Sequence, residues 1–418
     1  MPVFLNKSPV FGTTFLDEVI RSEEAIHAMM WLFVLTCLVV LLAVGLNLFQ
    51  KLYPPFGGKP SPADLKRYRQ SPNYKGTKFE YPLETKMFKP SPGSMITALR
   101  EYVQRRPQLK PDRPLPQVKL DRQTFEELQE DTVVWFGHSA LFLQFGGVRF
   151  LLDPMLGPAT SPLGGGKRFN RELPIDSLDE LPPIDVVLLS HDHYDHLDYG
   201  TILQLKDRVG RFIGPLGIRC HLERWGVAPG QIEEYDWWEE LELQGVRLAC
   251  TPARHFSGRR LFKQGGGGLW CSWVIVTPKR RVYFSGDSGY GPHFKEIGGK
   301  YGPFDLTLME CGQYDDRWWD IHMRPEQTAR AHLDVRGNVL LPIHWGAFSL
   351  AMHSWYDPVR QLSMEAKQRG IPLTTPKLGE PVRIGASEEY PTEAWWKTLE
   401  SARKVGGFRG ARPSSTMK

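Results

Sequence analysis

An uninterrupted apolar run dominates the N-terminal part of the chain. Ala28–Phe49 reads AMMWLFVLTCLVVLLAVGLNLF and carries no charge. At ~1.5 Å per residue, a helix of this length spans the hydrocarbon core of a bilayer, and Trp31 and Tyr53 stand where interface anchors are expected. The run is longer than the apolar part of a typical signal peptide, and no clear small-x-small cleavage site follows it. The pattern predicts a retained single-pass membrane helix over residues 28–49, preceded by a head of residues 1–27.

From Thr132 onward, short apolar runs alternate with loops, which is typical of strands in a layered domain with interspersed helices. Ten runs predict strands: Val133–Phe136, Ala140–Phe145, Val148–Leu152, Val186–Ser190, Arg211–Gly214, Val246–Thr251, Trp270–Thr277, Val282–Ser285, Leu306–Met309 and Asn338–Pro342. Four segments predict helices: Ser94–Arg105, Ile218–Trp225, Pro325–Leu333 and Pro358–Gln368. The pattern predicts an α/β or α+β body over residues 131–385. Residues 386–418 are predicted to be a C-terminal extension that ends in a disordered tail.

A basic, proline-broken stretch, residues 50–130, connects the membrane run to this body. Lys51–Lys119 contains fifteen Lys and Arg against five Asp and Glu, a net charge of +10, so the rest of the chain carries +5 − 10 = −5. Such a segment next to a membrane helix favours contact with anionic lipid headgroups through residues 51–119. The alternative is a solvated linker that its charges keep extended. Because the stretch lacks a recognisable nucleic-acid-binding module, no nucleic-acid partner is predicted.

The charges around the membrane run also predict its orientation. The flank before the run is acidic, whereas the flank after it carries several lysines and arginines, beginning with Lys51 and Lys59. The positive-inside rule places the C-terminal body in the cytoplasm. The five cysteines are odd in number and widely spaced, with no CxxC pair. This usage fits a reducing compartment and small buried side chains rather than a disulfide scaffold.

One apolar run leads directly into a dense set of potential metal ligands. Val186–Ser190 is followed by His191-Asp192-His193-Tyr194-Asp195-His196. In an extended turn His191 and His193 point the same way, and Asp195 and His196 can face a second point nearby. Imidazole nitrogen and carboxylate oxygen are ligands that catalytic zinc prefers, and an open coordination position lets bound water ionise near neutral pH. A solvated, histidine-rich loop is the alternative, but three histidines and two carboxylates after an apolar strand favour a metal site.

Further potential ligands share this position just past a predicted strand. His255 follows Val246–Thr251, Asp287 follows Val282–Ser285, and His344 follows Asn338–Pro342. Gly286 and Gly289, on either side of Asp287, permit a tight turn that would aim its carboxylate inward. Each residue alone is more often structural than ligating. Their joint occurrence in separate strand-end loops, together with the dense first motif, favours one shared site.

The longer strings around these residues resemble a known family. VVLLSHDHYDHLDY, TPARHFSGR, FSGDSGYGPHFKEIGGKYGPFDL and LPIHWGAFSLA are similar to sequences of the N-acylphosphatidylethanolamine-hydrolysing phospholipase D family and its bacterial relatives, which have the metallo-β-lactamase fold. The resemblance covers roughly residues 132–385 and excludes the membrane run. It implies a four-layer αββα sandwich with two Zn²⁺ between strand-end loops, and it suggests a homodimer.

The resemblance also implies which residues hold each zinc ion. One ion would be held by His191, His193, His255 and Asp287. The other would be held by Asp195, His196, His344 and the same, bridging Asp287. A hydroxide between two metals ~3.5–4 Å apart would be the nucleophile toward a phosphodiester, and Asp195 would orient it.

Other residues are assigned roles on weaker grounds. His322, in DIHMRPEQ, matches a family histidine close to the substrate and would protonate the leaving alkoxide or hold a phosphate oxygen; a surface histidine before a helix is the alternative. His138 and Asp153 match family strings and are interpreted as residues that orient the metal ligands. Aromatic side chains in the loops beside His322 and His344 suit acyl chains. The predicted substrate-lining residues among them are Tyr314, Trp318, Trp319, Trp345 and Phe348.

These observations predict a membrane-anchored dizinc phosphodiesterase of the phospholipase D type, acting on N-acylphosphatidylethanolamine-like membrane phospholipids. The segment LMECGQYDDRWWDIH is more polar and acidic than is usual in the family, which leaves the substrate open. One alternative keeps the fold and the metals but acts on a lactone or another phosphodiester. Another is a metal-containing membrane protein that binds a lipid or partner without turnover.

Overall fold

The computed structural model describes residues 13–86, 91–105, 108–128, 131–259, 267–386 and 389–399. The chain divides into two compact units, Met1–Phe56 and Gly57–Lys418. Residues 1–12 of the predicted head and the predicted tail beyond residue 399 lie outside the described residues.

The first unit is essentially one long helix. Helix α1, Thr13–Leu52, ends at a short 3-10 turn, Pro54–Phe56. Within α1, Ala25–Leu52 is long and apolar enough to cross a membrane, with a mean hydropathy of 2.7 over its most apolar window. This segment contains the predicted run Ala28–Phe49. By length and composition it fits both a membrane span and an N-terminal signal sequence.

Two sheets form the centre of the second unit. The strands are β1 Tyr74–Lys75, β2 Lys78–Phe79, β3 Thr132–Trp135, β4 Leu141–Phe145, β5 Val148–Leu152, β6 Ile184–Leu188, β7 Val209–Pro215, β8 Ile232–Tyr235, β9 Glu240–Leu243, β10 Val246–Thr251, β11 Ser272–Val276, β12 Arg281–Phe284, β13 Phe304–Glu310, β14 Gly337–Ile343 and β15 Pro381–Arg383. One sheet has seven strands in the order β15-β3-β4-β5-β6-β7-β8, and the other has six in the order β14-β13-β12-β11-β10-β9. In the first sheet β5 to β8 are parallel, and in the second β12 to β14 are parallel. A small hairpin, β1 with β2, stands apart.

Helices cover the outer faces of the two sheets and complete an αββα sandwich, so the predicted metallo-β-lactamase fold is confirmed. The helices of this unit are α2 Pro62–Tyr68, α3 Pro92–Arg105, α4 Arg122–Glu127, α5 Tyr199–Leu205, α6 Arg219–Arg224, α7 His293–Tyr301, α8 Pro325–Asp334 and α9 Asp357–Arg369. Alternate residues of β3 pack on opposite faces of the sheet, so both faces are buried. Val133 packs into the core between the sheets, whereas Val134 packs on the outer side with α5 and α6.

All ten predicted strands and all four predicted helices are present, with ends that differ by a few residues. Strands β8, IEEY, and β9, ELEL, were not predicted because they are edge strands that carry acidic side chains rather than an apolar run. Helix α7 was not predicted because it contains Gly298 and Gly299, which disfavour helix. Gly298 is nevertheless required there, since a Cβ on it would lie 2.2 Å from the Asp334 carbonyl oxygen.

The segment before the sandwich makes specific contacts with it. Arg67 forms an ion pair with the buried Glu234 at 3.3 Å, and the Leu115 N–H donates to Asn170 Oδ1 at 2.7 Å. Residues 57–128 thus belong to the same compact unit as the sheets. At the other end, the Trp395 ring stacks on Trp345 with 5.4 Å between centroids, so residues after the last strand also contribute to the core.

Candidate metal centre

The predicted ligands meet where neighbouring strands end. His191 to His196 follow β6, His255 follows β10, Asp287 follows β12 and His344 follows β14. Strand β6 belongs to the seven-stranded sheet, and β10, β12 and β14 belong to the six-stranded sheet. The loops after these strands meet at one end of the sandwich, where their side chains cluster. All seven predicted ligands lie in one cluster, and most of their side chains are buried.

Asp287 is at the centre of this cluster. Its Oδ2 lies 3.1 Å from His196 Nε2 and 3.2 Å from His344 Nε2. The same oxygen lies 3.9 Å from His191 Nε2 and 3.8 Å from His255 Nε2. One carboxylate oxygen therefore reaches imidazoles from both predicted ligand sets, as a residue that bridges two ions must.

Four overlapping groups of described side chains could hold an ion, and two of them contain the other predicted ligands. In one, His191, His193 and His255 each offer a nitrogen, and in the other His138, Asp195, His196 and His344 offer one atom each. Within either group these atoms lie within 4.8 Å of one another. The grouping follows the two sets that the resemblance implies, with His138 as an additional member of the second.

Unpaired buried atoms show that these residues fit metal ions. His191 Nε2, His196 Nε2, His344 Nε2 and Asp287 Oδ1 are buried without a hydrogen-bond partner among the described residues. Such atoms are unfavourable in a core unless another group uses their lone pairs. A divalent cation bound between the imidazoles and the carboxylates would supply that partner.

The second ring nitrogen, Nδ1, of three of these histidines contacts another protein group. His196 Nδ1 lies 2.7 Å from Asp153 Oδ2, and His191 Nδ1 lies 2.9 Å from the Ser190 hydroxyl, which donates to the same Asp153. His255 Nδ1 lies 3.0 Å from the Ile321 carbonyl oxygen. These contacts fix the ring orientations and leave the Nε2 atoms toward the centre.

The acidic ligand Asp195 is oriented in the same way. Its Oδ2 lies 2.8 Å from the buried His138 Nε2. His138 itself is fixed by the backbone, since its N–H donates to the Trp345 carbonyl at 2.7 Å and its carbonyl accepts the His344 N–H at 2.9 Å. These two hydrogen bonds join the end of β3 in one sheet to the end of β14 in the other.

The backbone is strained at several of these positions. His138, Asp153 and His344 have φ values of 54°, 38° and 66°. Residues with a side chain rarely adopt this left-handed region, and such outliers concentrate at functional sites.

Burial and mutual charge perturb the pKa values of the cluster. Burial and the neighbouring imidazoles lower the pKa of His191 well below its usual range, and burial and His193 do the same for His255. Burial alone would lower the pKa of His344, but the negative charge of Asp287 outweighs it and raises that pKa to about 10. The pKa of Asp287 is held well below its usual value, because the charges of His196 and His344 outweigh its burial. Burial alone would raise the pKa of Asp195, but the charge of His196 and the hydrogen bond to His138 hold it well below its usual value. At neutral pH both predicted carboxylate ligands are thus in the anionic form that binds metal.

Glycines position the Asp287 turn. Gly286 has a φ of 54°, and a Cβ on it would lie 2.7 Å from the Ser190 Cβ. A Cβ on Gly289 would lie 1.8 Å from the Asp320 carbonyl oxygen. Both positions are therefore restricted to glycine, the first by its backbone angle and by Ser190 and the second by close approach.

Comparisons with known proteins show the family of this chain. A beta-lactamase superfamily domain model matches residues 148–345. The chain is 38% identical over 336 residues to an uncharacterised protein of Mycobacterium tuberculosis, covering 78% of this chain and 88% of that protein. It is 31% identical over 290 residues to N-acyl-phosphatidylethanolamine-hydrolyzing phospholipase D 1 of Caenorhabditis elegans, covering 64% of this chain and 80% of the relative. The chain belongs to the N-acylphosphatidylethanolamine-hydrolysing phospholipase D family. It is a metal-dependent hydrolase of the beta-lactamase superfamily.

In this family member a cavity of about 260 Å³ opens above the cluster. Polar ligands form its floor, and apolar side chains form its walls: Phe256, Trp318, Ile321 and Leu350. Trp318 is thus the one predicted substrate-lining residue found in the wall.

The other predicted lining residues have different environments. Trp345 is buried between Trp135 and Trp395, and Phe348 is buried under the Arg168 guanidinium. Tyr314 stacks on His353 with 4.5 Å between centroids. Trp319 is 47% exposed outside the cavity. Aromatic content in a loop does not reveal which way each ring faces, so core packing accounts for Trp345 and Phe348.

His322 lines the cavity beside the metal cluster, where the resemblance places it. Its Nδ1 lies 2.9 Å from Oε2 of the fully buried Glu310. Burial raises the pKa of Glu310, and the positive charge of His322 opposes this rise. Sequence analysis missed Glu310, although it follows the predicted strand Leu306–Met309 directly and so has the same strand-end position as the ligands.

Gln313 was also missed. Its amide nitrogen donates to the Phe348 carbonyl at 3.1 Å, and its amide oxygen accepts the Leu350 N–H at 2.8 Å. The side chain thus joins the loop after β13 to the loop after β14, and both loops line the cavity. No sequence signal marks a single glutamine for such a role.

Proposed function

We propose that the chain is a membrane-anchored dizinc phosphodiesterase that hydrolyses N-acylphosphatidylethanolamine-like phospholipids in the phospholipase D manner. The observation that carries the proposal is the position of Asp287 between two groups of imidazoles, on the floor of an apolar cavity that also contains His322. Phosphodiester cleavage needs positive charge at the phosphoryl group and a proton donor for the leaving oxygen.

The donor set supports two zinc ions. His191, His193 and His255 would hold one ion, Asp195, His196 and His344 the other, and Asp287 both. Two carboxylates against two divalent cations leave a net positive floor that attracts a phosphate. When bound, a pair of divalent ions supplies a water of lowered pKa and Lewis acidity toward the phosphoryl oxygens.

The side chains around the ions carry the proton transfers. Asp195, held by His138 at 2.8 Å, would accept a hydrogen bond from the attacking water and orient it toward phosphorus. As the new P–O bond forms, the bond to the ethanolamine oxygen breaks, and that oxygen takes a proton from His322. The proton that the attacking water loses goes to solvent, from which His322 is protonated again. The products would be an N-acylethanolamine and phosphatidic acid. Because Nδ1 of His322 faces Glu310, Nε2 is the nitrogen available for this transfer.

The surroundings of the cavity suit a membrane lipid. Phe256, Trp318 and Leu350 provide an apolar wall for an acyl chain. Helix α1 would anchor the enzyme as a single-pass protein, and the basic flank after it favours a catalytic unit facing the cytoplasm. Residues 51–119 would contact anionic headgroups, and the enzyme would act as a homodimer.

A turnover assay on the full-length protein tests this proposal. The protein is reconstituted in vesicles that contain N-acylphosphatidylethanolamine, and both products are measured by mass spectrometry. We expect equimolar N-acylethanolamine and phosphatidic acid, loss of turnover with a chelator, recovery with Zn²⁺ and a metal content of two per chain. Asp287→Asn should remove metal and turnover together, whereas Asp207→Asn, a change at an exposed carboxylate, should remove neither.

Other outcomes would select the alternatives. Chelator-sensitive turnover of a lactone or a different phosphodiester, without the lipid products, would overturn the substrate but keep the metal centre. Full metal loading without turnover of either class would indicate a binding protein and overturn the enzymatic proposal.

A further inference from the structure

Helix α3 exposes a stripe of large apolar side chains to solvent. Met95, Ile96, Leu99, Tyr102 and Val103 are 60%, 53%, 63%, 42% and 63% exposed. At 100° per residue these positions fall on one side of the helix. Soluble surfaces rarely present so many neighbouring apolar side chains without a partner.

This stripe is not the side by which α3 attaches to the rest of its unit. The partly buried residues of α3 are Ser94, Ala98 and Glu101, which lie on a different side of the helix. Glu101 forms an ion pair with Arg317 at 3.5 Å. Core packing therefore does not explain the apolar stripe.

The attachment points of α3 lie at the rim of the metal cavity. Arg317 directly precedes Trp318, which lines the cavity, and Arg105 donates to the Met352 carbonyl at 3.4 Å, close in sequence to the lining residue Leu350. The rim adds apolar exposure of its own, since Trp319 is 47% and Leu350 37% exposed. Helix α3 and the cavity mouth thus share one part of the surface.

Charge on α3 indicates what covers the stripe. Arg100 is exposed on one flank of the apolar side, whereas Arg105 pairs with Glu101 at 3.2 Å on the side by which α3 attaches. The surrounding stretch, residues 51–119, has a net charge of +10. An arginine that flanks an apolar helix face extends its guanidinium group to anionic headgroups while the apolar side chains enter the acyl region. The apolar side chains and their basic surroundings together fit an anionic lipid surface.

We propose that α3 is an interfacial helix, which lies in the headgroup region of an anionic bilayer with Met95, Ile96, Leu99, Tyr102 and Val103 inserted. This contact would hold the cavity mouth at the lipid surface. The proposal rests on the contact with anionic headgroups already proposed for residues 51–119 and assigns it to one helix, but it does not depend on which substrate the metal centre cleaves.

Depth-dependent quenching on the full-length protein tests the contact. Leu99→Cys, in the stripe, and Thr97→Cys, exposed on the opposite side, are each labelled with a bimane probe. The proteins are placed in nanodiscs of phosphatidylcholine and phosphatidylglycerol, and labelling of the five native cysteines is subtracted with the parent chain. We expect brominated lipid to quench the probe at residue 99 at least threefold more than the probe at residue 97. Replacing phosphatidylglycerol with phosphatidylcholine should reduce this difference.

Two results would overturn the proposal. Equal quenching at both positions would show that α3 does not insert. A probe at residue 99 that is shielded from aqueous iodide but not quenched by brominated lipid would show that a second copy or another protein covers the stripe. Metal content, measured on both variants, verifies that the cavity is intact, so these outcomes are independent of whether the lipid turnover assay succeeds.

Discussion

His322 Nδ1 lies 2.9 Å from Glu310 Oε2, and the other carboxylate oxygen of Glu310 accepts the Met323 N–H at 2.7 Å. Glu310 thus fixes both the ring of His322 and the backbone that follows it. A fully buried carboxylate is unfavourable without such partners. Its position indicates that Glu310 orients the histidine of the cavity.

Replacing Glu310 with Gln should impair catalysis without removing metal. Glutamine keeps the length of the side chain, but it loses the negative charge that favours the proton on Nδ1. We expect kcat to fall about 10- to 100-fold with little change in KM, in the range typical for residues that orient a functional group. The measurements are steady-state kinetics and metal content. Glu242→Gln, at an exposed glutamate, is the matched control, and an unchanged kcat in Glu310→Gln would contradict the assigned role.

Asp153→Asn should weaken metal binding on both sides of the site. Asp153 contacts His196 directly and His191 through Ser190, and asparagine tolerates the φ of 38° at this position. We expect metal affinity to fall about 10- to 100-fold, as measured by competition with a chromogenic chelator. Ser190→Ala, which removes the hydroxyl between Asp153 and His191 but keeps the direct contact of Asp153 with His196, should have a smaller effect. Equal effects of the two changes would argue against this arrangement.

Gly289→Ala should disturb the loop that carries His322. The new Cβ would meet the Asp320 carbonyl oxygen at 1.8 Å, so the loop must move. We expect turnover to fall at least tenfold while metal is retained. Gly299→Ala in α7, where nothing lies within 4 Å of the new Cβ, should leave turnover intact and raise stability by about 0.5–1 kcal/mol. Full activity in Gly289→Ala would show that the loop adapts freely.

Stability should depend on pH through His332, which is remote from the metal cluster. Burial lowers the pKa of His332 to about 4, and its Nδ1 lies 2.7 Å from the Thr307 hydroxyl. The unfolded state, with a pKa of 6.5, binds more protons between these values, so stability is complete above pH 6.5 and falls as pH decreases toward 4. From pH 7 to 5 the loss is about 2 kcal/mol from this residue. His332→Gln should flatten the pH dependence of the unfolding free energy by that amount, and an unchanged slope would refute the assignment.

The sheets were predictable because a strand buried on both faces is an uninterrupted apolar run, as in β6 and β14. The clustering of the seven predicted ligands was predictable for a related reason, since each lies past a strand end; that they bind metal stays a prediction. Edge strands such as β8 bury fewer side chains and carry charged residues, so their sequence resembles that of a loop. The prediction succeeded where burial determines the sequence and failed where it does not.

Contacts between distant segments were not predictable. His138 was expected to orient a ligand, but its pairing with Asp195, at 2.8 Å, depends on how the loops after β3 and β6 meet. Trp345 was expected in the substrate path because of its sequence position, but the rings of Trp135 and Trp395 hold it in the core. Side-chain direction in a loop is set by the tertiary fold, which a single sequence does not show.

The two backbone hydrogen bonds that join His138 to Trp345 and His344 have a consequence for metal exchange. They tie the two sheets together beside the ligands without using a metal ion. We therefore expect the distance between the two sheet ends beside the predicted ligands to be the same with and without metal. We also expect that one divalent metal can replace another through the cavity mouth while the two sheets keep their spacing.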